Sequence, residues 1–201
     1  MTFSEQVIAE ISAARKDAPL FDPSNLTAVL SNLIFMQQVI SASERLLKEA
    51  AYESDRKLRG YFERHLDEEL NHAEWLHEDL KTAGIDTRKL PLVRAAVEMA
   101  GSQYYLIKHV DPVCLLGYMA VLEGFPADMR AVETLEQLHG KALFRTLRHH
   151  AQADLEHRKE LFSMIDRVGA PCILDTAKQT AVYMNELSRA LACGADFTKE
   201  Q

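Results

Sequence analysis

Residues 61–83 read YFERHLDEELNHAEWLHEDLKTA, and their apolar side chains recur with the 3.6-residue period of an α-helix. At 100° per residue, Phe62, Leu76 and Leu80 all fall within about 60° of His65 around such a helix. This stretch therefore predicts an amphipathic helix whose apolar side packs against a protein core.

The same helical period extends over most of the chain, and strict apolar/polar alternation is almost absent. Glycine and proline are scarce and stand mainly where one helical pattern gives way to the next. The sequence predicts an all-α protein with helices at about 3–16, 24–53 (Ser24 as N-cap), 55–83, 88–110, 112–123, 127–139, 142–168 and 174–193. No linker rich in Pro, Gly or Ser divides the chain, so a single helical domain over residues 1–201 is predicted.

Composition excludes several classes of function. The net charge of −7 argues against a nucleic-acid partner, which would need a clustered excess of Lys and Arg. No apolar run approaches the roughly 20 residues of a membrane span, so no membrane association is expected. The start of the chain is not typical of a signal peptide. Three widely spaced cysteines fit neither a disulfide framework nor a Cys-based zinc site, which favours a reducing, cytoplasmic setting.

Two of the predicted helices carry the same order of polar residues: His, three residues, an acid, two residues, His. The two triplets are His65, Glu69 and His72, and His150, Asp154 and His157. On a helix, positions i, i+4 and i+7 fall within an arc of about 60°. In both helices that arc coincides with the apolar side. Each acid, Glu69 and Asp154, is therefore predicted to point toward the core.

Burying an unpaired carboxylate is so costly that it requires a partner, a proton or a metal ion. Imidazole and carboxylate together are typical ligands of iron, manganese or zinc. The repeated triplet therefore predicts a metal site. Two alternatives remain: solvated His and acidic residues on amphipathic helices, or a metal-free structural or pH-sensitive cluster in the core.

A metal site in a helical bundle also draws carboxylates from facing helices. Glu123 is the best candidate, since it is the only charged residue between Asp111 and Asp128 and shares its side of the helix with apolar residues. Exposure at the Gly124 helix end is the alternative. Glu44 is a second candidate ligand, although a nearby Arg or Lys could pair with it instead.

These motifs resemble those of the heme-oxygenase-like diiron oxidases. The matching segments are RHLDEELNHAEWL (64–76), HVDPVCLLGYMAVLEG (109–124) and His150-x-x-x-Asp154-x-x-His157, within about half of the chain. The resemblance implies a heme-oxygenase-like helical bundle of about seven helices. It also implies two iron ions held by Glu69, His72, Glu123, His150, Asp154 and His157, with His65 as an uncertain seventh ligand.

The same resemblance implies an iron-dependent oxidase or oxygenase that activates dioxygen and acts on a small amino-acid-like or fatty-acid-like substrate. The two irons are expected to be labile, with Mn or Zn as substitutes, and a homodimer is a candidate assembly. No heme is expected, because no His precedes His65. No catalytic residue is predicted beyond the metal ligands. The candidate substrate-binding residues are Arg158, Tyr104, Tyr105 and Tyr118.

Other interpretations stay open. A ferritin-like four-helix bundle would use Glu44, Glu69-x-x-His72, Glu123 and Asp154-x-x-His157, but leaves His150 without a role. A metal-free small-molecule-binding protein, or a thiaminase-type protein using Cys114, would share the heme-oxygenase-like fold. Glu68 lies about 100° from Glu69 around the helix and is predicted to face solvent.

Overall fold

The computed structural model of this protein describes residues 1–199. Within them the chain is helical, with three short 3₁₀ turns and no strand, which confirms the predicted all-α class. The helices are α1 (Phe3–Arg15), α2 (Leu26–Glu53), α3 (Arg56–Glu69), α4 (His72–Lys81), α5 (Arg94–His109), α6 (Leu115–Leu122), α7 (Met129–His139), α8 (Arg145–Val168) and α9 (Pro171–Ala192). Their number exceeds the expected seven or so, chiefly because the predicted helix at 55–83 is two helices.

The break between α3 and α4 has a local cause. Asn71 adopts a left-handed conformation (φ 70°, ψ 2°), and it is the one non-glycine residue with positive φ among those described. Asn tolerates this conformation better than most residues. Its backbone N–H donates a hydrogen bond to Oε1 of Glu44 at 3.1 Å. The break ends α3 at Glu69 and starts α4 at His72, so these two residues lie on either side of a kink.

Short polar side chains cap the start of α2 and of the 3₁₀ turn before α6. Asn25, rather than the predicted Ser24, caps α2 and accepts a hydrogen bond from the N–H of Ala28 at 3.2 Å. The Ser24 hydroxyl instead donates to Asp22 at 2.8 Å. Asp111 caps the 3₁₀ turn that leads into α6. These caps fix where α2 and the turn before α6 begin.

A buried acid joins α4 to the start of α8. Asp79 is 1 % exposed, and its Oδ2 accepts a hydrogen bond from the backbone N–H of Thr146 at 2.8 Å. Its Oδ1 accepts from Nε of Arg145 at 2.7 Å. A carboxylate at a helix N-terminus is stabilised by the free N–H groups there. This contact holds α8 in register with α4.

The long helix α2 lies across the centre of the molecule and packs against α3, α4, α5 and α9. It is long and apolar enough to cross a membrane by length and composition, but 44 % of its most apolar window is buried against the rest of the protein. Core helices pass the same test.

The helices α6 and α9 touch through their backbones at Gly117. A Cβ atom at this position would lie 2.1 Å from the carbonyl oxygen of Ile173 and 2.9 Å from the backbone nitrogen of Ala177. Only a residue without a side chain allows this approach. Gly117 therefore sets the position of α6, at whose end Glu123 lies.

We expect Gly117→Ala to lower the melting temperature by roughly 2–12 °C, because the added methyl group must push α9 away from α6. Gly101→Ala is the matched control, since Gly101 is exposed in α5 and a Cβ there meets nothing within 4 Å. That control should raise the melting temperature slightly. Equal melting temperatures for the two variants in a thermal unfolding experiment would show that the close α6–α9 contact is not required.

Candidate metal centre

The two polar triplets meet in antiparallel order inside the bundle. The imidazole of His65 packs against that of His157 with ring centroids 5.1 Å apart, and His72 packs against His150 at 4.8 Å. The first residue of one triplet thus lies beside the last residue of the other. This arrangement sorts the side chains into two groups.

The first group contains His65 from α3, Glu123 from the end of α6 and His157 from α8. One ligand atom from each lies within 4.8 Å of the other two. The closest pair joins Nε2 of His65 to Oε1 of Glu123 at 3.1 Å. Gly124 allows α6 to end there, because a Cβ on it would lie 2.2 Å from the carbonyl oxygen of Ala120 and 2.9 Å from the ring of Phe162.

The second group contains Glu69, His72 and His150, again with ligand atoms within 4.8 Å of one another. Oε2 of Glu69 lies 3.0 Å from Nδ1 of His72, across the kink between α3 and α4. The ring of Trp75 lies against His72 at 4.4 Å between centroids and is partly exposed. Trp75 therefore lies beside the second group, which is the more buried of the two.

Asp154 lies between the groups. Its Oδ1 is 3.5 Å from Nδ1 of His150 in the second group and 3.7 Å from Nδ1 of His157 in the first. A carboxylate in contact with both groups is in the position that a bridging ligand would require. All six predicted ligands and the uncertain His65 therefore lie together.

Sequence reasoning missed one acid. The Glu68 side chain is 51 % exposed, yet its Oε2 lies 3.3 Å from Nε2 of His157 and 3.9 Å from Nδ1 of His65. The expectation that it faces solvent away from the site is thus wrong in part. Glu68 lies on the outer side of α3, as predicted, but His157 of α8 lies next to it. The angular positions of residues on one helix do not reveal a contact with another helix.

The centre holds an unusual number of buried polar atoms without hydrogen-bond partners. In the described residues ten such side-chain atoms occur, and five belong to this cluster: Oε1 of Glu69, Oε2 of Glu123, Nε2 of His150, Oδ1 of Asp154 and Nδ1 of His157. Buried polar groups are normally satisfied, so each exception needs an explanation. All five atoms are oxygen or nitrogen donors suited to a metal ion.

Electrostatic coupling within the cluster is strong. Burial tends to lower the pKa of His65 and His150, but the carboxylates around them outweigh burial and raise both pKa values. Asp154, with Glu123 and Glu68, raises the pKa of His157 to about 9 against the effect of burial. Burial tends to raise the pKa of Glu69 and Asp154, but the neighbouring imidazoles outweigh burial, and both pKa values lie below their usual range. A metal ion would therefore bind in competition with protons on the imidazoles.

The spacing is compatible with metal binding. Ligands about 2.1 Å from a shared ion lie at most about 4.2 Å apart. The ligand atoms of each group lie within 4.8 Å of one another, so shifts on the order of an ångström, which rotation of side chains can provide, would bring them around one ion. Three carboxylates in the groups and between them, with Glu68 at the edge, also match the charge of two divalent cations.

A cavity of about 320 Å³ adjoins the centre. Five residues of the cluster line it: His65, Glu69, Glu123, His150 and Asp154. Most of the remaining wall is apolar and comes from α2 and α6, including Met36, Leu47 and Met119. Its size is at the lower end of small-molecule sites. A small, largely apolar molecule bound there would contact the centre.

The substrate-binding candidates divide clearly. Tyr118 lines the cavity, and its buried hydroxyl has no hydrogen-bond partner among the described residues. The cavity wall does not include Arg158, Tyr104 or Tyr105. Arg158 instead lies over the ring of Phe162 at 5.7 Å, Tyr104 packs against the core, and Tyr105 is 64 % exposed.

Two other candidates lie outside the two groups. Glu44 accepts the hydrogen bond from Asn71, and so holds the kink that orients Glu69 and His72 rather than facing either group. Cys114 is fully buried ahead of α6 and is not among the cavity-lining residues. A third acid–His set on α4, Glu74 with His77 and Glu78, has exposed acids that pair with Arg88 and Lys81.

The chain matches no protein-family model and no curated protein. Among solved structures it is similar to a domain of unknown function with a heme oxygenase-like fold from Shewanella denitrificans OS217. The TM-score is 0.73 at 15 % sequence identity, over 93 % of this chain and 89 % of that one. Similarity at this identity shows the fold alone. The predicted heme-oxygenase-like fold is thus confirmed in preference to the ferritin-like bundle, and this protein is an all-α chain of that fold with His and carboxylate groups capable of holding metal ions.

Proposed function

We propose that this protein holds two iron ions, one in each three-residue group with Asp154 between them, and uses them to activate dioxygen for oxidation of a small molecule in the adjoining cavity. The observation that carries the proposal is the set of five partnerless donor atoms around Asp154, most of them on residues that line the cavity. The motif resemblance to heme-oxygenase-like diiron oxidases supports the same assignment.

The choice of metal follows from the donors. The cluster offers four imidazoles from His65, His72, His150 and His157 and carboxylates from three acids, without a thiolate. Mixed nitrogen and oxygen donors suit iron or manganese, and also zinc. Three ligands per group leave positions open on each ion for other molecules. When bound, iron would supply redox and Lewis-acid chemistry.

The protein's own residues would orient and enclose the reaction. The hydrogen bond from Asn71 to Glu44 holds the kink, so Glu69 and His72 keep their orientation. Apolar side chains from α2 and α6 exclude water from the cavity next to the centre. The free hydroxyl of Tyr118 can hydrogen-bond to a polar atom of a bound molecule. The substrate, in this proposal, is small and mostly apolar.

Oxygen consumption by protein loaded anaerobically with ferrous iron tests the activity. We expect uptake to be faster than with the same concentration of free iron and to rise with a suitable substrate from a panel of fatty acids and amino acids. Zinc-loaded protein is the redox-inactive control. Uptake no faster than free iron across the panel would contradict the proposed oxidase function.

An iron store is the competing function. It would take up iron well beyond two equivalents per chain and would retain it after exposure to air. Measuring iron per chain after aerobic loading separates the two functions, because an enzyme centre of this geometry has only two groups of ligands.

A further inference from the structure

The cavity beside the centre has a cationic side chain in its wall. Arg15, the last residue of α1, lines the same cavity as Glu69 and Asp154 and is partly buried. In the sequence it stands about 50 residues before the first polar triplet, and no spacing relates it to that motif. Its place in the cavity wall is therefore a feature of the fold alone.

This arginine is not neutralised by the protein. Burial lowers the pKa of Arg15, and no carboxylate acts in the opposite direction. In residues 1–199 its guanidinium forms neither an ion pair nor a hydrogen bond. None of the ion pairs that Glu69, Glu123 and Asp154 form among the described residues includes Arg15, so the guanidinium lies apart from these acids. The cavity thus has two distinct polar regions, one acidic and one basic.

Two other arginines of this protein pair with buried acids. Arg148 pairs with Glu136 at 2.6 Å, and Arg145 pairs with Asp79 at 2.7 Å. Moving a charge away from water costs free energy unless an opposite charge or hydrogen bonds compensate. Arg15 departs from this pattern, and it does so in the wall of a cavity large enough for a ligand. A bound anion would provide the missing partner.

The rest of the wall indicates what kind of anion fits. Between the two polar regions the lining is mainly Leu, Met and Ile side chains of α2 and α6, with the Asn32 amide as an additional polar group. A carboxylate attached to an aliphatic body matches this lining, because its charge can pair with the guanidinium and its chain can contact the apolar side chains. The planar guanidinium can bind a carboxylate through two parallel hydrogen bonds.

We infer that Arg15 binds the carboxylate of an aliphatic monocarboxylic acid, whose apolar body lies along α2 and α6 so that its other end faces the metal centre. The orientation rests on the proposed function, while binding of the carboxylate to Arg15 does not. In the opposite orientation, the carboxylate of the acid would bind the metal ions and its apolar end would lie near Arg15. A cation in the last turn of α1 is also favoured by the helix dipole, but that alone gives no preference for a ligand.

The test is calorimetric titration of the full-length protein with octanoate and with octanamide, its uncharged analogue, in metal-free and zinc-loaded forms. We expect Arg15→Gln to weaken octanoate binding about 10- to 100-fold in both forms and to leave octanamide binding unchanged. Lys16→Gln is the matched control: it removes the same charge from the next, exposed residue and should change neither affinity. Arg15→Lys should keep part of the preference for the acid.

Three results would overturn the inference. Octanoate and octanamide could bind the wild type equally, or octanoate could bind Arg15→Gln as tightly as wild type while circular dichroism shows both folded. Octanoate could also bind only the zinc-loaded form and be insensitive to Arg15, which would place its carboxylate at the metal. The metal-free titration needs no metal site, so its outcome is independent of whether the proposed oxidase function holds.

Discussion

Replacement of Asp154 by Asn is expected to reduce ferrous iron binding more than any other single substitution in this protein. Asp154 contacts His150 in one group and His157 in the other, so its loss affects both ions. Asn keeps the size of the side chain but removes the charge and one oxygen donor. Removing a residue that only hydrogen-bonds to a metal ligand typically lowers metal affinity 10- to 100-fold. Because Asp154 is proposed as a ligand itself, we expect a loss of at least about 100-fold. Iron per chain after anaerobic loading and desalting measures the effect.

Glu156→Gln is the matched control for that variant. Glu156 lies two residues further along α8, its side chain is 75 % exposed, and among residues 1–199 its ion-pair partner is the exposed Lys159. We expect unchanged iron content and a change in the free energy of unfolding of about 0.5 kcal/mol or less. Glu68 is unsuitable as a control because it contacts both histidines of the first group. Iron retained by Asp154→Asn at the level of Glu156→Gln would rule out Asp154 as a ligand.

The second large effect concerns the division into two groups. His65→Gln removes a ligand of the first group and His72→Gln one of the second. Each is expected to lower iron content from about two to about one per chain, because a site that loses one of its few ligands loses most of its affinity. Elemental analysis of the two single variants and of the double variant, which should bind almost none, measures the stoichiometry.

The single tryptophan identifies which ion is lost. Trp75 lies 4.4 Å from the ring of His72, so an ion in the second group should account for most of the quenching of its fluorescence by ferrous or cobalt ions. His72→Gln should abolish most of this quenching, and His65→Gln should retain it. Two ions bound by both variants, or the same quenching in both, would contradict the two-group arrangement.

Much of this arrangement follows from helical angles in the sequence. In the helices that the sequence predicts, the triplets around Glu69 and Asp154 share the apolar side, so their burial could be inferred without a structure. The pairing across helices could not. That His65 belongs with His157, and His72 with His150, depends on the antiparallel approach of two segments about 80 residues apart, which no local pattern encodes.

The remaining differences arise from the backbone. Asn71 interrupts a helical pattern whose apolar period continues across it, and its left-handed conformation depends on a hydrogen bond to Glu44 from another helix. The sequence predicts Glu44 as a candidate ligand, but it does not show that Glu44 accepts a hydrogen bond from Asn71. Arg15 carried no signal at all, since a single arginine at a helix end is commonplace until the fold places it in a cavity wall.

The central claim is that this chain binds two iron ions between the triplets, and titration of metal-free protein with ferrous iron under anaerobic conditions tests it most directly. Iron retained after desalting is measured by elemental analysis, and Trp75 fluorescence follows binding during the titration. The structure leads us to expect saturation at about two ions per chain, matching the two groups of ligands. Retention of no more iron by the wild type than by Asp154→Asn, with fluorescence unchanged throughout, would contradict the claim and leave the cluster as a metal-free network of ionised side chains.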